Sequence, residues 1–246
     1  MSFLVAVQLL TSIPVPVKRE IGPDGLGKAT AWFPLIGLLI GLVLAGVYWV
    51  LDLVLPPVLS SAVTVAVLVG LTGGIHLDGL ADTWDGMAGY RPAEERWKIM
   101  HDSRTGAFGV VGIVLVLLIK FAAIISLPNT WFYGALILMP VLSRWAMVYS
   151  IFTFRYAHKD GMGAAYKQAT RLPQFLIATI LALAACAGAI PFISWSGFAA
   201  LGGVWLLTTL MAFYFKSKLK GLTGDTYGAI NEISEIAALA MIIMVF

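Results

Sequence analysis

Seven apolar segments, at about 31–51, 57–75, 106–127, 131–153, 175–195, 197–215 and 229–246, decide what this chain can fold into. Most approach or exceed the ~20 residues that carry a helix across a bilayer. Barrel strands would instead show alternating segments of about ten residues. Only 12% of the residues are charged and the mean hydropathy is +0.91, whereas a soluble domain is about one-quarter charged. The expectation is an all-α, polytopic helical bundle in the lipid bilayer, one integral membrane domain over residues 1–246 with about seven spans.

Residues 1–13 are apolar but short and run into Pro14 and Pro16. They lack the basic start and small-residue cleavage site of a signal peptide, and read as a short interfacial helix. Cys186 is the single cysteine and reads as buried filler.

The basic residues give the orientation. Alternate loops hold Lys18, Arg19 and Lys28; Arg91, Arg96, Lys98 and Arg104; Arg155, Lys159, Lys167 and Arg171; and Lys216, Lys218 and Lys220. Those are fourteen of the sixteen Lys and Arg, and the intervening loops have none. Cytoplasmic loops are enriched in Lys and Arg, so the N-terminus and residues 76–105, 154–174 and 216–228 are expected on the cytoplasmic side of the cell (inner) membrane. The pI near 9.0 then reflects topology, and no nucleic-acid partner is expected.

Directly after the second apolar segment comes Gly73-Gly74-Ile75-His76-Leu77-Asp78-Gly79-Leu80-Ala81-Asp82-Thr83-Trp84-Asp85-Gly86. At about 100° per helical residue, Asp78, Asp82 and Asp85 fall on one face. Like charges at this spacing weaken a helix, so a cation should compensate them. Mg²⁺ prefers oxygen ligands and is commonly held by a few carboxylates plus substrate phosphates.

Two further polar segments fall on the same expected side. Ile99-Met100-His101-Asp102-Ser103-Arg104-Thr105-Gly106 offers another carboxylate, Asp102, and a guanidinium, Arg104, whose donor fork suits phosphate. Thr223-Gly224-Asp225 opens the last segment, with Glu232 on the face of Asp225 and Glu235 beyond. Ionisable groups inside a span are costly and usually functional. Arg144 would reach an anionic ligand, and an internal ion pair of Glu232 or Glu235 with Lys120 or Arg144 is the structural alternative. Lys120 otherwise snorkels toward the outer face, and His76 points about 160° from Asp78. His101 and His158 read as ordinary interfacial residues. Carboxylates for Mg²⁺ beside phosphate-reading arginines point to chemistry on a diphosphate. Neither a phosphate-binding glycine loop nor a covalent-nucleophile motif is present.

These motifs, with Thr11-x-Ile13-Pro14-Val15-Pro16, Phe33-Pro34-Leu35-Ile36-Gly37, Ser143-Arg144, Glu232 and Glu235, closely resemble the adenosylcobinamide-GDP ribazoletransferase (cobalamin 5′-phosphate synthase) family along essentially the whole chain. The resemblance implies a Mg²⁺-dependent membrane transferase. It would join adenosylcobinamide-GDP to α-ribazole or α-ribazole 5′-phosphate and release GMP. The expected site has Asp82, Asp102 and Arg104 as catalytic residues, and Arg104, Arg144, Asp225 and Glu232 on the substrates. Asp78, Asp82, Asp85, Asp102 and Asp225 are the expected metal ligands. Asp82-x-x-Asp85-Gly86 also looks like the start of the CDP-alcohol phosphotransferase motif, but Met87-Ala88-Gly89-Tyr90 departs from its continuation. An ion transporter using Asp78, Glu232 and Glu235 as a relay, or a membrane scaffold, are the rival classes. Oligomeric state, including a homo-oligomer, is open.

Overall fold

A computed structural model describes residues 2–15, 23–158 and 162–246. Pro16, Lys18, Arg19 and Lys159, on which parts of the motif and loop-charge readings rest, lie outside the described residues. The polypeptide is all-α: α1 (Ser2–Leu10), α2 (Pro23–Thr30), α3 (Phe33–Asp52), α4 (Pro57–Thr72), α5 (Ile75–Met87), α6 (Ala93–Met100), α7 (Ala107–Ile125), α8 (Phe132–Thr153), α9 (Met162–Ala169), α10 (Leu172–Ile193), α11 (Ser196–Leu219) and α12 (Gly224–Val245). The one extended pairing among the described residues is a parallel bridge between Tyr156 and Leu222.

Six helices, α3, α7, α8, α10, α11 and α12, are each long and apolar enough to cross a membrane, and α4 with α5, bent at their junction, makes a seventh when the pair is taken as one broken span. The chain is a polytopic membrane protein. Helix α8 lies at the centre of the bundle, packed by α3, α12, α10 and α11 and buried along most of its length. The peripheral helices expose wide apolar faces, such as Val111, Leu115 and Leu118 on α7 and Ile180 and Leu183 on α10. Apolar surface so extensive suits contact with lipid tails. Cys186 is free and buried, as expected of filler.

One sequence boundary needs correction. The second apolar segment does not run straight to residue 75, because α4 ends at Thr72 and α5 leaves at 90° to it. Gly73 and Gly74 both take the left-handed conformation, φ 63° and 69°, which glycine adopts without the steric cost borne by other residues. Two such residues in succession turn the chain sharply. The acidic helix is therefore a separate element at a right angle to α4, and it packs on α12, α7 and α6.

Candidate active site

Helix α5 places its residues as the spacing predicts. Asp78 is exposed and Asp82 and Asp85 are partly exposed, while His76, Leu77 and Leu80 are buried. The buried side meets α12 so closely that a Cβ on Gly79 would lie 2.9 Å from the Asp225 backbone. Only glycine permits this approach. It brings Asp225, in the first turn of α12, beside Asp78 and Asp82. That turn is fixed by Thr223 and Thr226, each donating its backbone N–H to the other's hydroxyl, at 2.8 and 3.2 Å. Satisfying the first amides of a helix in this way anchors its start.

Electrostatics show how crowded the acidic face is. Burial first, then the charges of Asp78, Asp225 and Asp85, push the Asp82 carboxyl up to about 6. Among the described residues, Asp78, Asp82 and Asp225 have no ion-pair partner; the cations that form pairs go to Asp102, Glu94, Glu232 and Glu235. Nor do any three His, Cys, Asp or Glu side chains among the described residues close around an ion by themselves. Uncompensated carboxylates supply the hard oxygen donors that suit Mg²⁺, with room for ligands from substrate phosphates or water.

Asp85 has a different neighbourhood. Its two oxygens accept the amide hydrogens of Gly106 and Gly109, at 2.7 and 2.9 Å, and so cap α7 from outside that helix. Asp102 is likewise engaged: it accepts from the backbone N–H of Arg104 and from the guanidinium, at 3.0, 3.1 and 2.8 Å. This bonding holds the Asp102 carboxyl down at about 2. The Arg104 side chain is 86% exposed, so the guanidinium is open to an anion arriving from outside.

The structure does not bring Arg144 and Glu232 to this surface. Arg144 is fully buried and bonds Glu235 and Ser143; Glu232 is 4% exposed and bonds Lys120. Lys120 also bonds Glu235, at 2.5 Å. The substrate contacts expected of Arg144 and Glu232 are thus replaced by an internal pairing of two cations with two anions. Lys120 is buried too, so the snorkelling expectation fails. Spacing along separate helices does not reveal that three spans turn their charges toward one another.

Sequence reasoning also undervalued the rings beside α5. His101 and His158 are not isolated interfacial residues. The His101 Nδ1–H donates to the Trp97 carbonyl at 2.6 Å, and its charge is felt by Asp82. His158 lies 4.5 Å from the Trp97 ring and 5.9 Å from His101, and Tyr156 lies 6.2 Å from Tyr227. The bridge at Tyr156 and Leu222 brings this row to the start of α12. The clustering of aromatic and histidine residues after α8 was the available signal.

Comparisons with known proteins give the chain's relatives. The sequence model of a family described as cobalamin-5-phosphate synthase matches residues 2–243. An adenosylcobinamide-GDP ribazoletransferase of Roseiflexus sp. (strain RS-1) is 38% identical over 96% of this chain and 86% of its own. Proteins of the same name from Pseudomonas paraeruginosa (strain PA7) and Geotalea daltonii are 40% and 34% identical; the alignments cover 97% and 99% of this chain, and 96% and 97% of theirs. No solved structure matches the chain.

Proposed function

The chain belongs to the cobalamin-5-phosphate synthase family, and we propose that it transfers adenosylcobinamide phosphate from adenosylcobinamide-GDP to α-ribazole or its 5′-phosphate, with Mg²⁺, releasing GMP. The observation that carries this reading is the uncompensated trio of Asp78, Asp82 and Asp225, gathered where α5 packs on α12.

Asp78, Asp82 and Asp225 would hold Mg²⁺, which supplies charge neutralisation at the diphosphate when bound. Arg104, exposed at the start of α7, reaches the phosphate by exchanging its Asp102 contacts for phosphate oxygens. Asp85 keeps that loop in place through the α7 amides. The acceptor hydroxyl attacks the phosphorus attached to cobinamide, and GMP departs in line. Positioning and charge stabilisation supply most of phosphoryl-transfer catalysis. The relay reading loses support, because Glu232 and Glu235 are already paired with Lys120 and Arg144.

GMP release tests the reading directly. Purified protein in lipid, given both substrates and Mg²⁺, should produce GMP and the cobalamin product, and chelation should stop it. Absence of GMP from a folded preparation would sink the proposal.

A further inference from the structure

Beside the acidic face, segments of α1, α3, α5, α8, α9 and α12 line a cavity of about 240 Å³. Asp78 and Asp225 belong to its wall. Phe33 and Tyr166, with ring centroids 6.4 Å apart in an edge-to-face pair, and Tyr227 give it aromatic surface. His76 and Tyr227 also line it, and both are 4% exposed. Their Nδ1 and Oη atoms are buried without a hydrogen-bond partner. Buried polar atoms are normally satisfied. His76 is surrounded by the interior charges of Arg144, Glu235 and Lys120, which leaves the Tyr227 hydroxyl as the unpartnered group beside the cavity that a ligand can engage.

Two substrates must meet at the carboxylates, and the cavity suits only one of them. Drug-sized ligands usually occupy about 300–1,000 Å³, so a corrinoid joined to a nucleotide is far too large. None of the lining residues is Lys or Arg, which disfavours a diphosphate, whereas Arg104 stands exposed outside. Aromatic walls with a few polar atoms fit a flat, uncharged heterocycle.

We infer that this cavity is the subsite for the acceptor nucleoside: it takes the azole base of the ribazole and presents the ribose to Asp78 and Asp225. The inference rests on the transferase reading above. Tyr227 serves as the specificity residue, offering a hydrogen bond to the nucleoside.

Gly224 allows a clean test. It lines the cavity at its exposed rim, and a Cβ built there meets no atom within 4 Å, so a larger side chain is accommodated without a clash and narrows the entrance. The experiment uses full-length protein in lipid nanodiscs, with wild type, Gly224→Leu and Tyr227→Phe. Equilibrium binding of α-ribazole is measured without donor, and GMP release is measured with each substrate varied. Gly224→Leu should raise the Kd and KM for α-ribazole about tenfold or more while the donor KM stays within about twofold, since an ill-fitting group in a pocket has effects of this size. Tyr227→Phe should weaken α-ribazole about three- to tenfold. Unchanged acceptor terms, or a rise confined to the donor KM, would overturn the inference. Should Gly224→Leu fail to insert, Tyr227→Phe decides alone, because it removes one oxygen. GMP release with unaltered acceptor terms removes the subsite and leaves the transferase reading. Binding of α-ribazole that both variants weaken, without GMP release by wild type, does the reverse.

Discussion

Lys120 of α7 and Glu232 of α12 meet at 2.7 Å in the interior of the bundle, with side chains 1% and 5% exposed. Glu235 joins the same ammonium and also Arg144, so two cations balance two anions. Removing one member strands a charge in a dry core, which costs about 3–5 kcal/mol. Lys120→Met should therefore lower the unfolding temperature of the detergent-solubilised protein strongly. Lys120→Met combined with Glu232→Gln restores the balance and should recover most of the loss. A single variant that melts with wild type would show that the pairing is dispensable.

Asp85 should behave unlike its neighbours on α5. Because it accepts the Gly106 and Gly109 amides, Asp85→Asn should cost about 0.5–2 kcal/mol, as loss of a helix cap does. Amide exchange at Gly106 and Gly109 should quicken in that variant. Asp78→Asn and Asp82→Asn remove no such bond and should leave those amides protected, while lowering turnover by orders of magnitude. Equal exchange in all three variants would refute the capping role.

The Asp82 carboxyl carries a pH signature. Its folded value of about 6 lies above the ordinary 3.8, with burial and neighbouring carboxylates as the causes. A raised carboxyl favours the fold while protonated, so its contribution is complete below about 4 and is lost as pH rises through about 6. Metal-free protein should thus lose stability over that window relative to Asp82→Asn. Added Mg²⁺ at pH 7 should raise the melting temperature of wild type and do little for the variant. Identical pH profiles for the two proteins would exclude Asp82 as the strained group.

Much of this was legible in the sequence because hydropathy and helical spacing are local properties. The spans follow from apolar length, and the shared face of Asp78, Asp82 and Asp85 follows from the helical repeat. The 90° turn was harder: Gly73 and Gly74 announce a break, but not its direction. Long-range partners were readable only as alternatives: pairing of the glutamates with Arg144 or Lys120 was one reading, but spacing did not select it. Lys120 and Glu232 are 112 residues apart, and only packing of α7 on α12 makes them a pair rather than a snorkelling lysine and a substrate ligand. His101 was missed for the same reason, since its importance comes from lying beside another helix.

The loop charges predict that three loops share one side of the membrane, and their contacts place them at one end of the bundle without fixing which side that end faces. Lys220 bonds Glu94 at 2.5 Å, the Tyr156 segment pairs with Leu222, and Gly79 touches Asp225. Three basic, polar loops thus gather at one end of the bundle. Cysteines placed at Asp52 and Asn129 should be labelled from outside the cell by an impermeant reagent. Labelling of either from the cytoplasm would overturn the orientation.

The last prediction concerns the reacting phosphorus. No nucleophile–base pair is apparent among the described residues of the site, and Arg104 stands exposed in the segment between α6 and α7, so a single in-line displacement is expected. One displacement inverts configuration at phosphorus, whereas a covalent enzyme intermediate gives two inversions and net retention. A donor chiral at the cobinamide-linked phosphorus should therefore yield inverted product, and retention would refute direct transfer. Arg104→Lys keeps the charge but loses the planar donor fork that grips phosphate at two points. Because Arg104 bonds only the exposed Asp102 among the described residues, the variant should insert and melt like wild type while turnover falls about ten- to a hundredfold. Full turnover in that protein would remove Arg104 from the site.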